Sequence, residues 1–93
     1  MMNLVEKIRA GFLDEASLLE YVTDNDIKIA IAVAQCPTAT PAILDIAAHD
    51  SDPRVRRAAL NNPRIGIETI KYLCADQEAE ISTQAKKILE GDN

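Results

Sequence analysis

Prolines 37 and 63 stand 26 residues apart, and the sequence around them recurs at that step. The run Asp26-Ile27-Lys28-Ile29-Ala30-Ile31-Ala32-Val33-Ala34-Gln35-Cys36-Pro37 maps onto Asp52-Pro53-Arg54-Val55-Arg56-Arg57-Ala58-Ala59-Leu60-Asn61-Asn62-Pro63. A third copy opens at Glu78, where Ile81 matches Val55 and Ala85 matches Ala59. Asp24, Asp50 and Asp76 mark the same interval. A period of about 20 to 50 residues is the signature of a repeat architecture. Such a unit cannot bury its apolar stripe alone and must lay it against the next copy.

Each unit reads as helix, turn, helix. Asp52-Pro53 is a helix start, since Asp caps free N–H groups and proline is preorganised for the first helical position. Val55, Ala58 and Ala59 then share one face. Pro63 ends the run, because the residue before a proline resists helical geometry. A second helix is predicted from about Ile67 to Ala75, with Ile67, Ile70 and Leu73 or Cys74 inward. Its earlier counterpart starts at Thr40-Pro41 and carries Ile43, Leu44 and Ala47. The alternation of Ile27, Ile29, Ile31 and Val33 suits a strand, but its counterpart over 53–60 does not alternate. Ala30, Ala32 and Ala34 are strong helix formers. The segment is assigned as a helix, and its extra isoleucines predict burial on more than one side.

Toward the N-terminus, Leu18-Leu19 aligns with Ile43-Leu44 at a step of 25, which implies one residue lost or gained. Helices are predicted over about Asn3–Ala10, with Gly11 as a left-handed terminator, and over about Asp14–Thr23, with Ala16, Leu19 and Val22 inward. A last helix spans about Glu78–Glu90, with Ile81, Ala85, Ile88 and Leu89 on its apolar side, Gly91 closing it and the tail Gly91-Asp92-Asn93 frayed. The fold class expected is all-α, a short solenoid of stacked helical hairpins with about seven helices. It forms one domain over 1–93: an irregular unit 1–23, repeats 24–49 and 50–75, and a C-terminal capping helix 76–90.

Composition agrees with close helix packing. Hydrophobic residues make up 47% of the 93, but only 3% are aromatic and Trp is absent. The core must therefore be aliphatic, which disfavours a deep ligand pocket with aromatic walls. The formal charge of −5 disfavours general nucleic-acid binding and anionic membranes. No stretch is long and apolar enough for a transmembrane helix, and residues 1–10 lack the apolar run of a signal peptide. A cytoplasmic location is expected. Cys36 and Cys74 fall at unrelated phases of the repeat, with Asn62 and Ala48 as counterparts, and no disulfide is expected. Cys74 is read as a buried small hydrophobe, and Cys36, beside a proline turn, as the more exposed of the two.

The run from Asp52 to Leu60 is similar to the "D-x-x-V-R-x-A-A" core of HEAT-like repeats. Its continuation Asn61-Asn62-Pro63, and the earlier Ala34-Gln35-Cys36-Pro37-Thr38-Ala39-Thr40-Pro41 followed by Leu44, Ala47 and Asp50, resemble the leucine-rich repeat variant (LRV) family. The resemblance covers about Asp24 to Leu89 and implies a stacked helical architecture rather than an activity. The variant family's units run shorter, with one short helix. Its founding members carry an iron–sulfur cysteine cluster, which two unmatched cysteines cannot reproduce. HEAT-like repeats often set the motif arginine against the neighbouring unit's acid. Arg56 has Ala30 and Ser82 as counterparts, so no arginine ladder along the stack is expected.

Four cations carry the functional question. Arg54, Arg57 and Arg64 lie in one unit, with Lys28 at the phase of Arg54. Arg54 and Arg57 are three apart and share a helix side, and Arg56 points elsewhere. Together they read either as a basic patch for an acidic partner, phosphoprotein or nucleic acid, or as a solvated face paired with Asp50, Asp52 or Glu78. His49, the one histidine, is explained by a helix end, where the dipole favours it. Asp24-Asn25-Asp26 and Asp50-Ser51-Asp52 lack the glycine and distant glutamate of a calcium loop and read as helix caps. No catalytic or metal residue and no cofactor is expected. The chain is thus expected to be a non-catalytic protein-interaction or scaffold module. The alternatives are nucleic-acid or acidic-partner binding through the arginine face, and a small accessory subunit of an enzyme. Weak self-association through the end units is a further expectation.

Overall fold

The computed structural model describes residues 1–91. The expected frayed tail therefore falls outside the described residues from Asp92 onward. Among the described residues there are seven helices and no strand: α1 (Leu4–Arg9), α2 (Glu15–Tyr21), α3 (Ile27–Ala34), α4 (Pro41–Ala48), α5 (Pro53–Asn61), α6 (Ile67–Leu73) and α7 (Ala79–Leu89). None is long and apolar enough to cross a membrane.

The helix starts obey the 26-residue step. Asp26, Asp52 and Glu78 are the N-caps of α3, α5 and α7. Asp14, Thr40 and Gly66 are the N-caps of α2, α4 and α6. The two aspartate caps of the first set accept the N–H two residues on, from Lys28 at 3.0 Å and Arg54 at 2.8 Å. The preceding turns are copies too. Asp24, Asp50 and Asp76 each accept the N–H of the residue two further on, at 2.8, 2.8 and 2.9 Å. Outside the step, Asn3 and Glu6 form a reciprocal capping box on α1. Gly11 follows that helix at φ +79 and Gly91 follows α7 at φ +65, the left-handed geometry that lets a chain leave a helix.

These caps correct the alignment at the N-terminus. The step is 26 from Asp14 onward, so Leu18, not Leu19, stands at the phase of Leu44 and Ile70. Leu18 and Val22 are buried, four apart on one stripe, while Ala16 and Leu19 face water. Ile67 of α6 is likewise exposed, and Ile70 and Leu73 are buried with Thr69. In α7, Ile81 and Ala85 are buried and Ile88 and Leu89 are largely exposed.

The helices sort into two sets. The odd helices pack in succession, α1 on α3, α3 on α5 and α5 on α7. Among the even helices α4 packs on α6, and the Thr40 hydroxyl of α4's cap donates to Glu15 of α2 at 3.0 Å. Segment 27–34 is a helix because its repeat environment demands one. It touches α1, α2, α4 and α5, so it is covered on several sides. Ala30, Val33 and Ala34 recur at helical spacing and are fully buried, and Ile27, Ile29 and Ile31 pack half-buried along the flanks. Alanines 30, 32, 34, 58 and 59 line the odd helices, and small side chains permit close interaxial distances.

Helix ends are joined across units. The last carbonyls of a helix have no partner within it. Asn62 Nδ2 donates to Ala34 O and Cys36 O, both at 2.9 Å, closing the end of α3 from the unit after it. Cys36 Sγ lies 3.1 Å from Ile8 O near the end of α1, adding a side-chain donor to a carbonyl that also accepts the Gly11 N–H. Donor positions 36 and 62, and acceptor positions 8 and 34, are each one repeat apart. Cys36 is therefore fully buried, contrary to the expectation of exposure, because its phase points back into the preceding unit. Cys74, expected buried, is half-buried at the end of α6, and both thiols are free.

Replacing Asn62 by Ala takes from Ala34 O its donor and from Cys36 O one of two, since Ala39 N–H also reaches it, and should cost about 1–3 kcal/mol. The exposed Gln35→Ala should stay within about 0.5 kcal/mol of wild type. Urea unfolding followed by circular dichroism measures both; equal midpoints for the two variants would refute the inter-unit role.

Candidate functional site

The four cations singled out in the sequence do not form one cluster. Lys28 and Arg54 occupy equivalent positions in the first turns of α3 and α5, which are neighbours, and both are exposed. Arg64 lies beyond the far end of α5, in the turn to α6, with its N–H donating to Asn62 Oδ1 at 2.9 Å. Arg54 and Arg64 thus lie at opposite ends of one helix.

Two of the four already have acidic partners. Arg54 Nε and Nη2 bond both carboxylate oxygens of Asp52 at 3.1 and 2.7 Å. Those bonds, with the Arg54 backbone N–H and the nearby positive charge, lower the Asp52 pKa to about 2. Arg57 Nε lies 2.9 Å from Glu80 Oε1 of α7, off the line of its N–H, so the contact is ionic rather than a hydrogen bond. An exposed pair of this kind contributes about 0.2–1 kcal/mol. This side of the molecule resembles a solvated, internally paired face more than an unshielded patch.

Arg56, set aside in the sequence reading, is the most committed charge in the chain. Its side chain is 7% exposed and that of its partner Asp76 is 4%. Nε and Nη2 bond the two oxygens of Asp76 at 2.8 and 3.1 Å. Nη1 donates to Asp50 O at 2.9 Å and Ser51 O at 3.0 Å. The guanidinium thus ties the α4–α5 turn to the α6–α7 turn. Ala30 and Ser82 stand one step before and after Arg56, so the arginine–aspartate tie occurs at this unit alone of the three phases. Burial pushes the Asp76 pKa up, but the Arg56 bonds, the Glu78 N–H and the guanidinium charge outweigh it and the net shift is downward. The bonds to Asp76 raise the Arg56 pKa against its own burial.

An open cleft of about 480 Å³ lies over this clamp, walled by His49, Ser51, Tyr72 and Gln77. His49 is the C-cap of α4, in keeping with a helix-end role. Its Nδ1 is 2.8 Å from Asp45 O, and since a carbonyl only accepts, Nδ1 carries the proton of that bond. The imidazole stacks on Tyr72 of α6, ring centroids 4.0 Å apart and planes 17° from parallel. Among the described residues, no group of three or more His, Cys, Asp or Glu side chains is placed to hold a metal ion. His49, Asp50, Arg56 and Asp76 in the cleft are engaged with helix ends, turns or each other.

Sequence reasoning missed Arg56–Asp76 and the His49–Tyr72 stack. The signal for the first was present, since Asp76 marks the step with Asp24 and Asp50, but the 20-residue separation from Arg56 is legible only once α5 and α7 are neighbours. Compared with known families, curated proteins and solved structures, the chain matches none.

Removing one partner of a buried pair strands the other, so Asp76→Ala should cost about 3–5 kcal/mol. A folded-state pKa lowered below the unfolded value of about 3.9 means the pair's contribution is whole above that pH and is lost as pH falls through the lowered value. Melting temperature measured from pH 7 down to pH 2 should therefore drop steeply below about pH 4. Asp76→Asn should be less stable at neutral pH and show a shallower acid limb. Parallel acid limbs would show that Asp76 does not carry this dependence.

Proposed function

We propose that this protein is a non-catalytic protein-binding module, a short helical solenoid of the HEAT-like or leucine-rich repeat variant type. The observation that carries this reading is the 26-residue recurrence of helix caps, turn bonds and inter-unit carbonyl bonds. Such recurrence is what translationally stacked hairpins require, and stacked hairpins present extended surfaces suited to other chains. The clamp from Arg56 to the next unit's Asp76 supports the HEAT-like likeness. The titratable groups of the cleft are engaged in cap, stacking and ion-pair contacts, which favours a structural role for them. Pairing of Arg54 and Arg57 with carboxylates, together with the net charge of −5, favours a protein partner over a nucleic-acid backbone. A cytoplasmic setting suits two free thiols.

The test is native affinity capture from the source cell with mass spectrometry, using wild type and Asp76→Ala at a temperature where only the variant is unfolded. A binding module retains a protein partner with the folded chain and loses it with the unfolded one. Recovery of nothing above a mock bait, or equal recovery with both, overturns the reading.

A further inference from the structure

The outward positions of the even helices form four sets 26 residues apart, 15/41/67, 16/42/68, 19/45/71 and 20/46/72, and a fifth, 23/49/75, follows at their C-terminal ends. All of them are exposed. The same side of α2, α4 and α6 therefore faces water, and the Thr40–Glu15, Thr69–Asp45 and His49–Tyr72 contacts hold the three helices side by side. Four large apolar side chains lie on that side: Leu19, Ile46, Ile67 and Tyr72, each between 38% and 63% exposed. The interior is already filled by the opposite faces, so these residues add little to the core.

The charges around them are mainly acidic. Glu15, Glu20, Asp45 and Glu68 share the side with a single cation, Lys71, which lies 3.5 Å from Glu68. Glu20 has no ion-pair partner among the described residues. The turns that leave these helices add Asp24, Asp26, Asp50 and Glu78, none of them in an ion pair. The exposed charges of the odd helices are mainly cationic, six Lys or Arg side chains against Glu6 and Glu80. Anionic lipid and nucleic acid are repelled by an apolar side rimmed in this way. A second copy meeting it with its own apolar side would bring like charges together, and on the odd helices the large exposed apolar groups are confined to Ile88 and Leu89 at the end of α7.

We propose that the outward side of α2, α4 and α6 binds a basic amphipathic segment of a partner protein. Apolar side chains of that segment seat on Leu19, Ile46, Ile67 and Tyr72, and its Lys or Arg residues meet the acidic rim. This rests on the binding-module reading and specifies its surface and partner chemistry. Rim charges act mainly on encounter rate and salt dependence, and the apolar contacts on residence time.

The probe is a helix-forming Leu/Lys peptide of about 18 residues, roughly five turns, with its leucines at helical spacing. One control replaces every Lys with Glu, and another scrambles the order. Full-length protein labelled with nitrogen-15 is titrated at low salt. The expected result is saturable shifts confined to α2, α4 and α6 with the Leu/Lys peptide, weakening as salt rises to about 0.5 M, and no saturation with either control. Glu20→Lys/Glu68→Lys should weaken binding about tenfold with an unchanged circular dichroism spectrum, and Lys28→Ala/Arg54→Ala should leave it unchanged. Shifts on α3, α5 or α7, equal binding by either control, or sedimentation showing that two copies cover this side, overturns the proposal. Partners captured equally by wild type, Ile46→Lys and Glu20→Lys/Glu68→Lys would place the interface elsewhere while the module reading stands. An absence of any captured partner removes the module reading itself.

Discussion

A helix end leaves carbonyls that need donors, and in this chain the unit that follows sends a side-chain donor to two of those ends. Asn62 reaches back to Ala34 and Cys36, and Cys36 reaches back to Ile8. This requirement fixes how far apart successive odd helices stand, because a side chain as short as Cys or Asn spans the gap. That distance in turn dictates alanine along the helices, at 30, 32, 34, 58 and 59, since anything larger would push the backbones apart. Backbone accounting and core composition are thus one constraint seen from two sides.

Most of the local structure was legible in the sequence. The aspartates and prolines that open helices, and the glycines that close them, act through nearest neighbours and announce themselves. Burial was legible only where the repeat could be counted. Leu18 and Leu19 are adjacent leucines, and nothing local says which one faces the core. A step of 25 puts Leu19 inward and a step of 26 puts Leu18 there, and the caps at Asp14 and Thr40 are 26 apart. Ile67 looked like core by type, yet its counterparts are Glu15 and Pro41, an outward phase. Cys36 looked like a turn residue because its backward bond is to Ile8, 28 residues away. The candidate site was legible as composition but not as geometry: the arginines could be enumerated, while the separation of Arg64 from Arg54 and the burial of Arg56 follow from the packing of α5 against its neighbours.

The Arg56–Asp76 clamp differs in kind from the rest of the interior. Taking two charges out of water is costly, and the cost is offset here by four hydrogen bonds and the mutual attraction of the pair. A bidentate fork tolerates little displacement. The aliphatic seam between α5 and α7 can slide at modest cost, whereas a slide of one residue would leave a buried guanidinium facing no carboxylate. The clamp supplies directional register where alanine and isoleucine contacts supply only adhesion. Its position, at the last turn before α7, makes it a tie across the unit boundary rather than within a unit.

What repeats in this molecule is its interior, and what varies is its surface. Caps, turn bonds and buried phases recur at 26 residues, while the outward phases carry unlike chemistry: Lys28, Arg54 and Glu80 at one, Glu20, Ile46 and Tyr72 at another. Stacking physics needs the first and is indifferent to the second. An outward Ile46 or Ile67 gains little from folding, since it stays in contact with water. The repeat that makes the interior explicable therefore leaves the outer side of α2, α4 and α6 as the part of the chain that stability does not explain. Its apolar side chains and mainly acidic rim are the chemistry that the proposed partner segment would meet.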